Sequence, residues 1–378
     1  MIMGQPIGKI TLRGFKSIRD LEDFPLRNLN ILIGVNGAGK SHFLDFFRLL
    51  RAMAEESLQT FIIQRGGADG FFFMGPKCTP RVSARLEFGQ LVYEFALGPT
   101  SPAHLMIEGE SIHDAGGAAE GGSTYSMSKG SLESVLKESR DPESVKGRWF
   151  DLFGVNIYEP ASSRVVYHFH DTSRQAPMRR VGSVRDNEYL RPDGENLGAF
   201  LLMLQEGHPQ VYAKIRDTIR LAAPFFDDFQ FRPKTSHGDE VLHLEWTQKD
   251  SDYPFLVTQF SDGTLRFIAL ATALLQPDPP ATILLDEPEL GLHPYVLDRL
   301  AGLVKTAATR TQVIVSTQSA PLLDNFVPED IIVVKRREGA STFERLSSAD
   351  LGEWLKDYSL GELWQKNMIG GRPADGWG

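Results

Sequence analysis

Residues 34–41 carry the pattern with the clearest chemistry in the sequence. The octapeptide GVNGAGKS matches G-x-x-x-x-G-K-[ST], in which the glycines let the backbone fold closely around a phosphate and successive N–H groups point at its charge. In such a loop Lys40 reaches the β- and γ-phosphates of ATP, and the Ser41 hydroxyl ligates Mg²⁺. The predicted nucleotide-contacting residues of this loop are Gly34, Asn36, Gly37, Ala38, Gly39, Lys40, Ser41 and His42.

Two carboxylates follow the apolar run ILL at 283–285. A carboxylate at the end of a buried strand is costly unless something pairs with it, and a hydrated Mg²⁺ beside the phosphate-binding loop would be that partner. We therefore predict that Asp286 ligates Mg²⁺ together with Ser41. Glu287 is placed to polarise the attacking water as a general base, so ATP hydrolysis is the predicted reaction. The alternative is that these two residues are an acidic loop at the end of a strand with no catalytic role. The presence of a phosphate-binding glycine loop in the same chain argues against this alternative.

A third pattern, FSDGTLR at 260–266, stands before an apolar helix. Ser261 is predicted to cap that helix, whose N-terminus would offer a second surface for an anion. Ser261 and Gly263 are the candidate phosphate contacts there. Ser-Asp-Gly is also a common turn, so the pattern alone is weak evidence for a phosphate contact. Its position shortly before Asp286 favours that interpretation.

The elements around these residues follow from the spacing of apolar side chains. The run Leu29–Ile33 leads into the glycine loop, and residues 42–55 have helical spacing after it, which is the order that a phosphate-binding loop requires. Continuous apolar runs are typical of strands buried on both faces of a parallel sheet. Such runs predict strands at 281–285, 312–316 and 330–334. A crossover helix between the first two of these strands is predicted at 294–308.

Other segments complete the predicted organisation. Residues 8–15 alternate as a strand does, and 81–97 alternate on both sides of Gly89-Gln90 as a β-hairpin does. Residues 115–130, rich in Gly, Ser and Ala, predict a flexible excursion. Helices are expected at 196–204 and 211–222, and a strand at 241–246.

These elements predict an α/β fold of the P-loop NTPase type. It would have a central, mostly parallel sheet with an antiparallel β lobe and a helical insertion. The predicted divisions are an N-terminal ATPase lobe at 1–100, a flexible excursion at 101–150, a helical insertion at 151–240, a C-terminal ATPase lobe at 241–335 and a tail at 336–378.

Composition narrows the class of protein. The 378 residues include one cysteine, Cys78, which excludes an internal disulfide framework and favours a reducing compartment. We expect a cytoplasmic protein without a membrane span, because neither a signal peptide nor an apolar run of roughly 18–20 residues is found. The net charge of −9 argues against a generally cationic nucleic-acid binder but leaves room for a local basic groove. Candidate arginines for DNA contacts, or simply for a solvated surface, are Arg164, Arg174, Arg179, Arg180, Arg185 and Arg191.

Four segments together resemble the RecF/SMC/OLD-like group of ABC ATPases, and more narrowly its stand-alone bacterial AAA-family members. They are LRGFKSIRDLEDFPLRNLNILIGVNGAGKS, FSDGTLRFIAL, LLDEPELGLHP and VIVSTQSAPLLDNF. The resemblance implies an ABC-type fold and a head-to-tail homodimer with two composite sites, each combining one glycine loop with the Ser261/Gly263 signature of the other copy. It also implies that residues 289–293 form the D-loop, with His293 near the dimer interface.

Two positions depart from this group. Many relatives have His in the switch position where this chain has Gln318, which is predicted to be catalytic together with Glu287 and Lys40. A glutamine amide can hydrogen-bond a γ-phosphate but cannot carry positive charge, so hydrolysis would be slow or would depend more on Glu287. The Q-loop glutamine has two candidates, Gln64 and Gln90.

The resemblance further implies a role in DNA repair or phage defence. A nucleotide-controlled switch or scaffold that regulates a separate effector, a nuclease or toxin, is the alternative. Gln318 and the short stretch after the second ATPase lobe favour that alternative. A transporter subunit is disfavoured because FSDGTLR differs from the transporter-like LSGGQ.

Two weaker patterns keep two interpretations each. His168, His170 and Asp171 are either a metal site or structural residues with ordinary hydrogen bonds. The apolar set at 351–364 either docks on its own domain or forms a surface for a partner.

Overall fold

The computed structural model describes residues 5–101, 104–114, 124–137, 163–236 and 239–370. Its strands are β1 (Lys9–Phe15), β2 (Ile18–Pro25), β3 (Leu29–Ile33), β4 (Val82–Phe88), β5 (Leu91–Ser101), β6 (His104–Asp114), β7 (Thr124–Ser128), β8 (Arg164–Tyr167), β9 (Gly182–Ser183), β10 (Phe226–Gln230), β11 (Lys234–Ser236), β12 (Asp239–Leu242), β13 (Glu245–Gln248), β14 (Phe255–Leu256), β15 (Thr282–Asp286), β16 (Gln312–Thr317), β17 (Ile331–Arg337) and β18 (Ala340–Arg345). Its α-helices are α1 (Lys40–Ala54), α2 (Leu58–Gln64), α3 (Leu197–Gly207), α4 (Pro209–Ala222), α5 (Asp262–Leu275), α6 (Pro294–Ala308), α7 (Ala320–Leu323), α8 (Ser348–Leu351) and α9 (Leu360–Gln365).

The central sheet has six strands in the order β18-β17-β3-β16-β15-β8. Five of these strands run parallel, and β18 at one edge is antiparallel to β17. Every residue of β3 and β16 is buried, as expected for apolar strands covered on both faces. The mostly parallel sheet predicted from the continuous apolar runs is confirmed.

Helix α1 lies between the central sheet and a second, antiparallel sheet with the order β2-β1-β4-β5-β6-β7. Phe46 on α1 contacts Phe15 of β1 and Phe95 of β5, with ring centroids 5.9 and 6.3 Å apart. The same hydrophobic core includes Val166 and Leu284 of the central sheet. Each buried aromatic side chain of this kind contributes roughly 2–3 kcal/mol through the area it removes from water. Packing on two faces therefore fixes α1 and the glycine loop that precedes it.

The opposite face of the central sheet is covered by helices. Ile31 and Ile33 of β3 point into this second core, whereas Leu32 points toward α1, as the two-residue period of a strand requires. Helix α5 contacts both α4 and α6, and eleven of its fourteen residues are buried. The helix that follows Ser261 is thus part of the rigid body of the fold.

The region predicted as a flexible excursion, 101–150, contains two strands in its described part. β6 pairs with β5 and β7 pairs with β6, so the antiparallel lobe is larger than the sequence suggested. The prediction of a flexible segment at 115–130 is wrong for Thr124–Ser128, because backbone pairing along β6 does not require bulky side chains and Met127 supplies one buried side chain. The remaining residues of that prediction, 115–123, and residues 138–150 lie outside the described ranges.

The described part of the region predicted as a helical insertion, 151–240, contains both helices and strands. It contains α3 and α4, close to the predicted bounds, but β8 belongs to the central sheet because it pairs in parallel with β15. The strand expected at 241–246 is two strands in different small sheets, one of order β11-β12-β9 and one of order β10-β13-β14. The chain leaves the first sheet at His243 because the Leu244 carbonyl instead accepts a hydrogen bond from Val257 N at 3.0 Å.

The C-terminal residues fold back onto the helical core. Leu351, Leu363 and Trp364 are buried in that core, and α9 contacts α7. The apolar set at 351–364 therefore docks on its own chain, although Trp354 is 50% exposed. Among the described residues, no helix is long and apolar enough to cross a membrane.

Candidate active site

The glycine loop connects β3, inside the central sheet, to the first residue of α1. That residue, Lys40, is buried, and its Nζ donates hydrogen bonds to the carbonyl oxygens of Gly34 at 2.6 Å and Val35 at 3.3 Å. Burial lowers the pKa of Lys40, and negative charges nearby oppose that effect. The carboxylates that oppose it are Glu287, Asp286 and Glu289. Two distant sequence patterns therefore meet at one edge of the sheet, where the strands end.

The loop is held from the side by residues that the sequence analysis did not single out. Gly39 has a φ of 113°, and a Cβ at this position would lie 2.0 Å from Ser341 Oγ on β18. Ser341 Oγ donates to the Ala38 carbonyl at 2.6 Å and lies 2.7 Å from Ser17 Oγ. Ser17 Oγ in turn lies 2.8 Å from Nδ1 of His42, a predicted nucleotide contact. The pKa of His42 is lowered, and burial is the largest cause. The shape of the loop thus depends on the β1–β2 turn near the start of the chain and on β18 near its end.

Asp286 ends β15, the neighbour of β16, and Glu287 follows it. The register places Asp286 beside Ser316, and the Glu287 amide donates to the Ser316 carbonyl at 2.8 Å. Glu287 has a φ of 41°, a left-handed conformation that costs about 1 kcal/mol for a residue with a Cβ. This bend turns the chain sharply out of the sheet directly after Asp286.

The switch segment after β16 contacts both glutamates of this edge. Gln318 Nε2 donates to Glu287 Oε1. Thr317 Oγ1 donates to Glu289 Oε1 at 2.5 Å, and the Gln318 amide donates to the same oxygen at 3.2 Å. Burial raises the pKa of Glu289. Glu289 was predicted only as the first residue of a D-loop. Its place in the acidic stretch DEPEL is the one sequence signal for a role closer to the site.

The polar atoms at this edge suit a divalent cation. Asp286 Oδ1, Ser316 Oγ and Glu289 Oε2 are buried and have no hydrogen-bond partner in the part of the chain that the structure describes. Buried oxygens normally accept a hydrogen bond. A hard cation such as Mg²⁺ can take the place of the hydrogen-bond donor by binding carboxylate and hydroxyl oxygens. Within the described ranges, no group of three or more His, Cys, Asp or Glu side chains is arranged to hold a metal by itself. A cation here would therefore need Asp286, the Ser41 hydroxyl and oxygens of a bound phosphate.

The predicted signature lies at the N-terminus of α5. Ser261 Oγ accepts a hydrogen bond from Thr264 N at 3.2 Å, so Ser261 caps the helix as predicted. A Cβ on Gly263 would lie 2.3 Å from the Gly291 carbonyl oxygen, which shows how closely this turn approaches the segment after β15. The turn, Gly291 and the exposed His293 line a cleft of about 240 Å³. No glycine-loop residue is among the described residues that line this cleft.

A buried arginine fastens the signature turn to the fold. The Arg179 guanidinium donates to the Val257 carbonyl at 3.0 Å, to the Phe260 carbonyl at 3.2 and 3.3 Å, and to Asp262 Oδ1 at 2.9 Å. A second arginine, Arg266, lies one turn into α5 and ties it to the segment after β8. These contacts fix where the N-terminus of α5 points.

The predicted DNA contacts need a correction. Arg164 is fully buried and Arg179 is 6% exposed, so neither side chain lies on the open surface that a DNA backbone would contact. Arg191 pairs with Asp186 at 3.0 Å. The exposed members of the predicted set are Arg174, Arg180 and Arg185.

Comparison with known proteins decides the family. A protein-family model described as "AAA domain, putative AbiEii toxin, Type IV TA system" matches residues 136–325, which is half of the chain. This chain belongs to that AAA-domain family. The matched range includes the signature, Asp286, Glu287 and Gln318, whereas the glycine loop precedes it. No curated protein matches the sequence.

Solved structures match this AAA-domain protein in fold. An Smc head bound to the C-winged helix domain of ScpA has a TM-score of 0.56 at 15% identity, covering 92% of this chain and 99% of that chain. An Smc head with an extended coiled coil, bound to the C-terminal domain of ScpA from Pyrococcus furiosus, has a TM-score of 0.51 at 16% identity, covering 93% and 99%. At these identities the likeness shows the fold alone, which is that of ABC-type ATPase heads. Together with the family match, it confirms the resemblance to the SMC/RecF-like group.

The segment after β8 reaches the carboxylate edge of this AAA-domain protein. Because β8 lies next to β15, His170 reaches the edge with the carboxylates, and its Nε2 lies 2.6 Å from the Asp286 carbonyl oxygen. Gln64 ends α2 and Gln90 lies in the β4–β5 turn. No hydrogen bond joins either glutamine to the described site residues. His170 therefore lies beside the carboxylate edge, whereas His168 Nδ1 lies 3.3 Å from the Val166 carbonyl oxygen. Within the described residues, these histidines are not part of a group of three or more metal-ligating side chains.

Proposed function

We propose that this chain is a Mg²⁺-dependent ATPase whose active site is the edge formed by the glycine loop, Asp286 and the Glu287–Gln318 pair. The observation that carries the proposal is the convergence of these groups from β3, β15 and β16 at one end of a parallel sheet. Ligands of open α/β sheets bind outside the carboxyl ends of the strands, where this edge lies. Family membership agrees, because ATPases of this kind bind ATP, usually with Mg²⁺.

The proposed roles follow from the chemistry of phosphoryl transfer. The N–H groups of residues 34–41 and the N-terminus of α1 bind the phosphates, and Lys40 leaves its carbonyl partners to contact the β- and γ-phosphates. Ser41 and Asp286 would hold Mg²⁺, which neutralises the charge that develops on the phosphate oxygens. Glu287 accepts a proton from the attacking water. The water oxygen forms the new bond to the γ-phosphorus, and the bond from that phosphorus to ADP breaks. Gln318 orients Glu287 and the γ-phosphate through its amide.

We further propose that a second copy of the chain completes each site. Ser261 and Gly263 expose an anion-binding helix N-terminus, and the cleft beside them has no lining residue from the glycine loop of the same copy. A head-to-tail homodimer would bring this N-terminus to the γ-phosphate on its partner. The exposed His293 and Leu290, which is 49% exposed, lie on the segment that such a dimer would bury.

The direct test is the substitution Glu287→Gln, which removes the general base while keeping the shape of the side chain. We expect the rate of ATP hydrolysis to fall by about 10²- to 10⁴-fold, ATP binding to persist, and an ATP-bound dimer to accumulate. Phosphate release, nucleotide binding and mass in solution are the measurements, with the exposed Glu338→Gln as the matched control. Hydrolysis at the unchanged rate would overturn the role of Glu287.

A second candidate function is a nucleotide-controlled switch with little turnover. The observation that favours it is the contact between Gln318 and Glu287, in which a neutral amide occupies an oxygen of the base without adding positive charge. In this case ATP binding would set the shape of the dimer, and slow hydrolysis would reset it. Turnover of the wild-type chain above about 1 s⁻¹, an ordinary enzyme rate, would argue against the switch.

We propose that the biological output is phage defence or DNA repair through a separate effector, a nuclease or toxin. The family description names a toxin of a type IV toxin–antitoxin system, and both Smc heads compared here are bound to a partner protein, ScpA. Purification of the Glu287→Gln chain with ATP from its native cell tests the idea, because the trapped dimer should retain its effector. Recovery of the dimer without a nuclease or toxin would contradict it.

A further inference from the structure

A groove runs between α1, α2 and β8, away from the carboxylate edge. It has a volume of about 420 Å³ and is lined by Arg48 and Arg51 of α1, Phe61 of α2, Arg65, and Arg164 of β8. Arg51 is eleven residues after Lys40 on the same helix, which places it roughly 16 Å further from the glycine loop at 1.5 Å per residue. The groove is therefore distinct from the proposed ATP site.

The charge of the groove is positive. Among its described lining residues there are four arginines and one carboxylate, Glu55. Arg51 pairs with Glu55 at 2.7 Å. Arg48 and Arg65 share a single acidic partner, Asp45, at 2.7 and 3.3 Å. Cations thus outnumber the acidic groups that face them.

Arg164 is the observation that points to a ligand. Its side chain is fully buried, and Nε, Nη1 and Nη2 all lack a hydrogen-bond partner in the described structure. Its guanidinium carbon lies over the ring of Phe88, 4.9 Å from the ring centre. Burial lowers the pKa of Arg164 to about 9, so the group still carries its charge at neutral pH. Buried charges in folded proteins are normally paired, because an unpaired one costs several kcal/mol.

We propose that this groove binds a small organic phosphate of about mononucleotide size, with its phosphate group at Arg164. Guanidinium groups bind phosphate oxygens through two parallel hydrogen bonds, which suits this ligand better than a single carboxylate. The volume exceeds what a lone phosphate fills and lies within the range of small-molecule sites. Phe61 and Val166 provide apolar wall for the organic part, and the phosphate supplies the acceptors that Arg164 lacks.

The test uses AMP and inorganic pyrophosphate as probes, titrated by calorimetry into the full chain carrying Lys40→Ala, so that binding at the glycine loop is suppressed. We expect AMP to bind more tightly than pyrophosphate, which has no organic part to contact Phe61 and Val166, and Arg164→Met and Arg51→Gln each to weaken the affinity for AMP at least tenfold. Arg216→Gln is the matched control, because that arginine pairs with Asp217 and Asp228 on α4 and β10. Its affinity should equal that of the parent.

Stability gives an independent readout. Arg164→Met removes an unpaired buried charge, so its thermal midpoint without ligand should rise above that of the parent, while the further rise produced by the bound probe should disappear. If Arg164→Met fails to fold, Arg51→Gln carries the affinity test. The proposal is overturned if AMP does not bind at millimolar concentration, whether or not pyrophosphate does, or if both substitutions leave the affinity for AMP unchanged. Loss of ATPase activity in Glu287→Gln has no bearing on this outcome, so the two proposals fail separately.

Discussion

The hydrogen bond from the Gln318 amide to the Glu287 carboxylate ties two predicted catalytic side chains to one another. An amide donor stabilises the ionised carboxylate but also occupies an oxygen that the attacking water needs. A histidine in the same place could donate a hydrogen bond and carry positive charge toward the γ-phosphate. Under the proposed function, residue 318 would therefore set how strongly the site favours the transition state over the bound nucleotide.

Gln318→His tests this at the level of one side chain. We expect hydrolysis to accelerate about fivefold, equal to about 1 kcal/mol of transition-state stabilisation, with a larger gain below about pH 6.5 where imidazole is protonated. The measurement is the rate of phosphate release between pH 5.5 and 8, with Gln318→Ala as the control that removes the side chain. A histidine variant no faster than the alanine variant would show that this position does not act on the γ-phosphate.

Sequence reasoning at the residue scale succeeded where the signal is local. The glycine loop and Ser261 are recognised from a few adjacent residues, and the structure places Ser261 at the helix cap that was predicted. Ser341 and Glu289 were not predicted as parts of the site. Ser341 reaches the loop from β18, about 300 residues later, and no local pattern encodes that contact.

At the scale of elements, the position of α5 depends on Arg179. This side chain belongs to the connection after β8 but bonds to three groups of the turn that leads into α5. Its charge is buried, so each hydrogen bond is stronger than one at the surface. The signature is thus held by a residue about eighty positions earlier in the chain.

Arg179→Lys should separate nucleotide binding from turnover. A lysine cannot reproduce the forked contacts, so we expect the free energy of unfolding to fall by about 3 kcal/mol. ATP affinity should stay within about twofold, because the glycine loop rests on other elements, while turnover should fall at least tenfold as the N-terminus of α5 shifts. Denaturant titration, ATP binding and phosphate release measure these effects. The exposed neighbour Arg180→Lys is the control, and equal turnover in the two variants would contradict the assignment.

Elements with strong periodic patterns were predicted well from sequence alone. Leu29–Ile33 and Pro294–Ala308 have the predicted bounds, because a buried strand and an amphipathic helix each impose a pattern over their whole length. β7 was missed since its Ser- and Gly-rich surroundings resemble a loop, and only pairing with β6 makes it a strand. β8 was missed because four residues are too short to show a period.

At the scale of the whole molecule, the glycine loop and the predicted signature lie on different elements, and the cleft beside the signature has no lining residue from the loop. Lys40 follows β3, whereas Ser261 and Gly263 lie in a cleft with Gly291 and His293. The order of strands could not be read from the sequence, because parallel pairing of β3 with β16 and β17 joins segments about 300 residues apart. The proposal that a second copy completes each site rests on this arrangement.

A mixture of two inactive variants tests the composite site directly. Lys40→Ala lacks the lysine but keeps an intact signature, whereas Gly263→Arg keeps its glycine loop and places a long side chain where the turn meets Gly291. In a heterodimer of the two, one of the two sites combines an intact loop with an intact signature. Random pairing gives half heterodimers, so an equal mixture should recover about a quarter of the wild-type rate per dimer.

The recovered rate should also rise with total protein concentration, since only dimers contribute. The control is a mixture of Lys40→Ala with the double variant Lys40→Ala/Gly263→Arg, which contains no intact loop and should stay inactive. If Gly263→Arg alone hydrolysed ATP at the wild-type rate, the signature would not be part of the active site. Inactivity of the complementing mixture, with heterodimers verified by mass, would mean that each copy completes its own site and that the proposed head-to-tail dimer is incorrect.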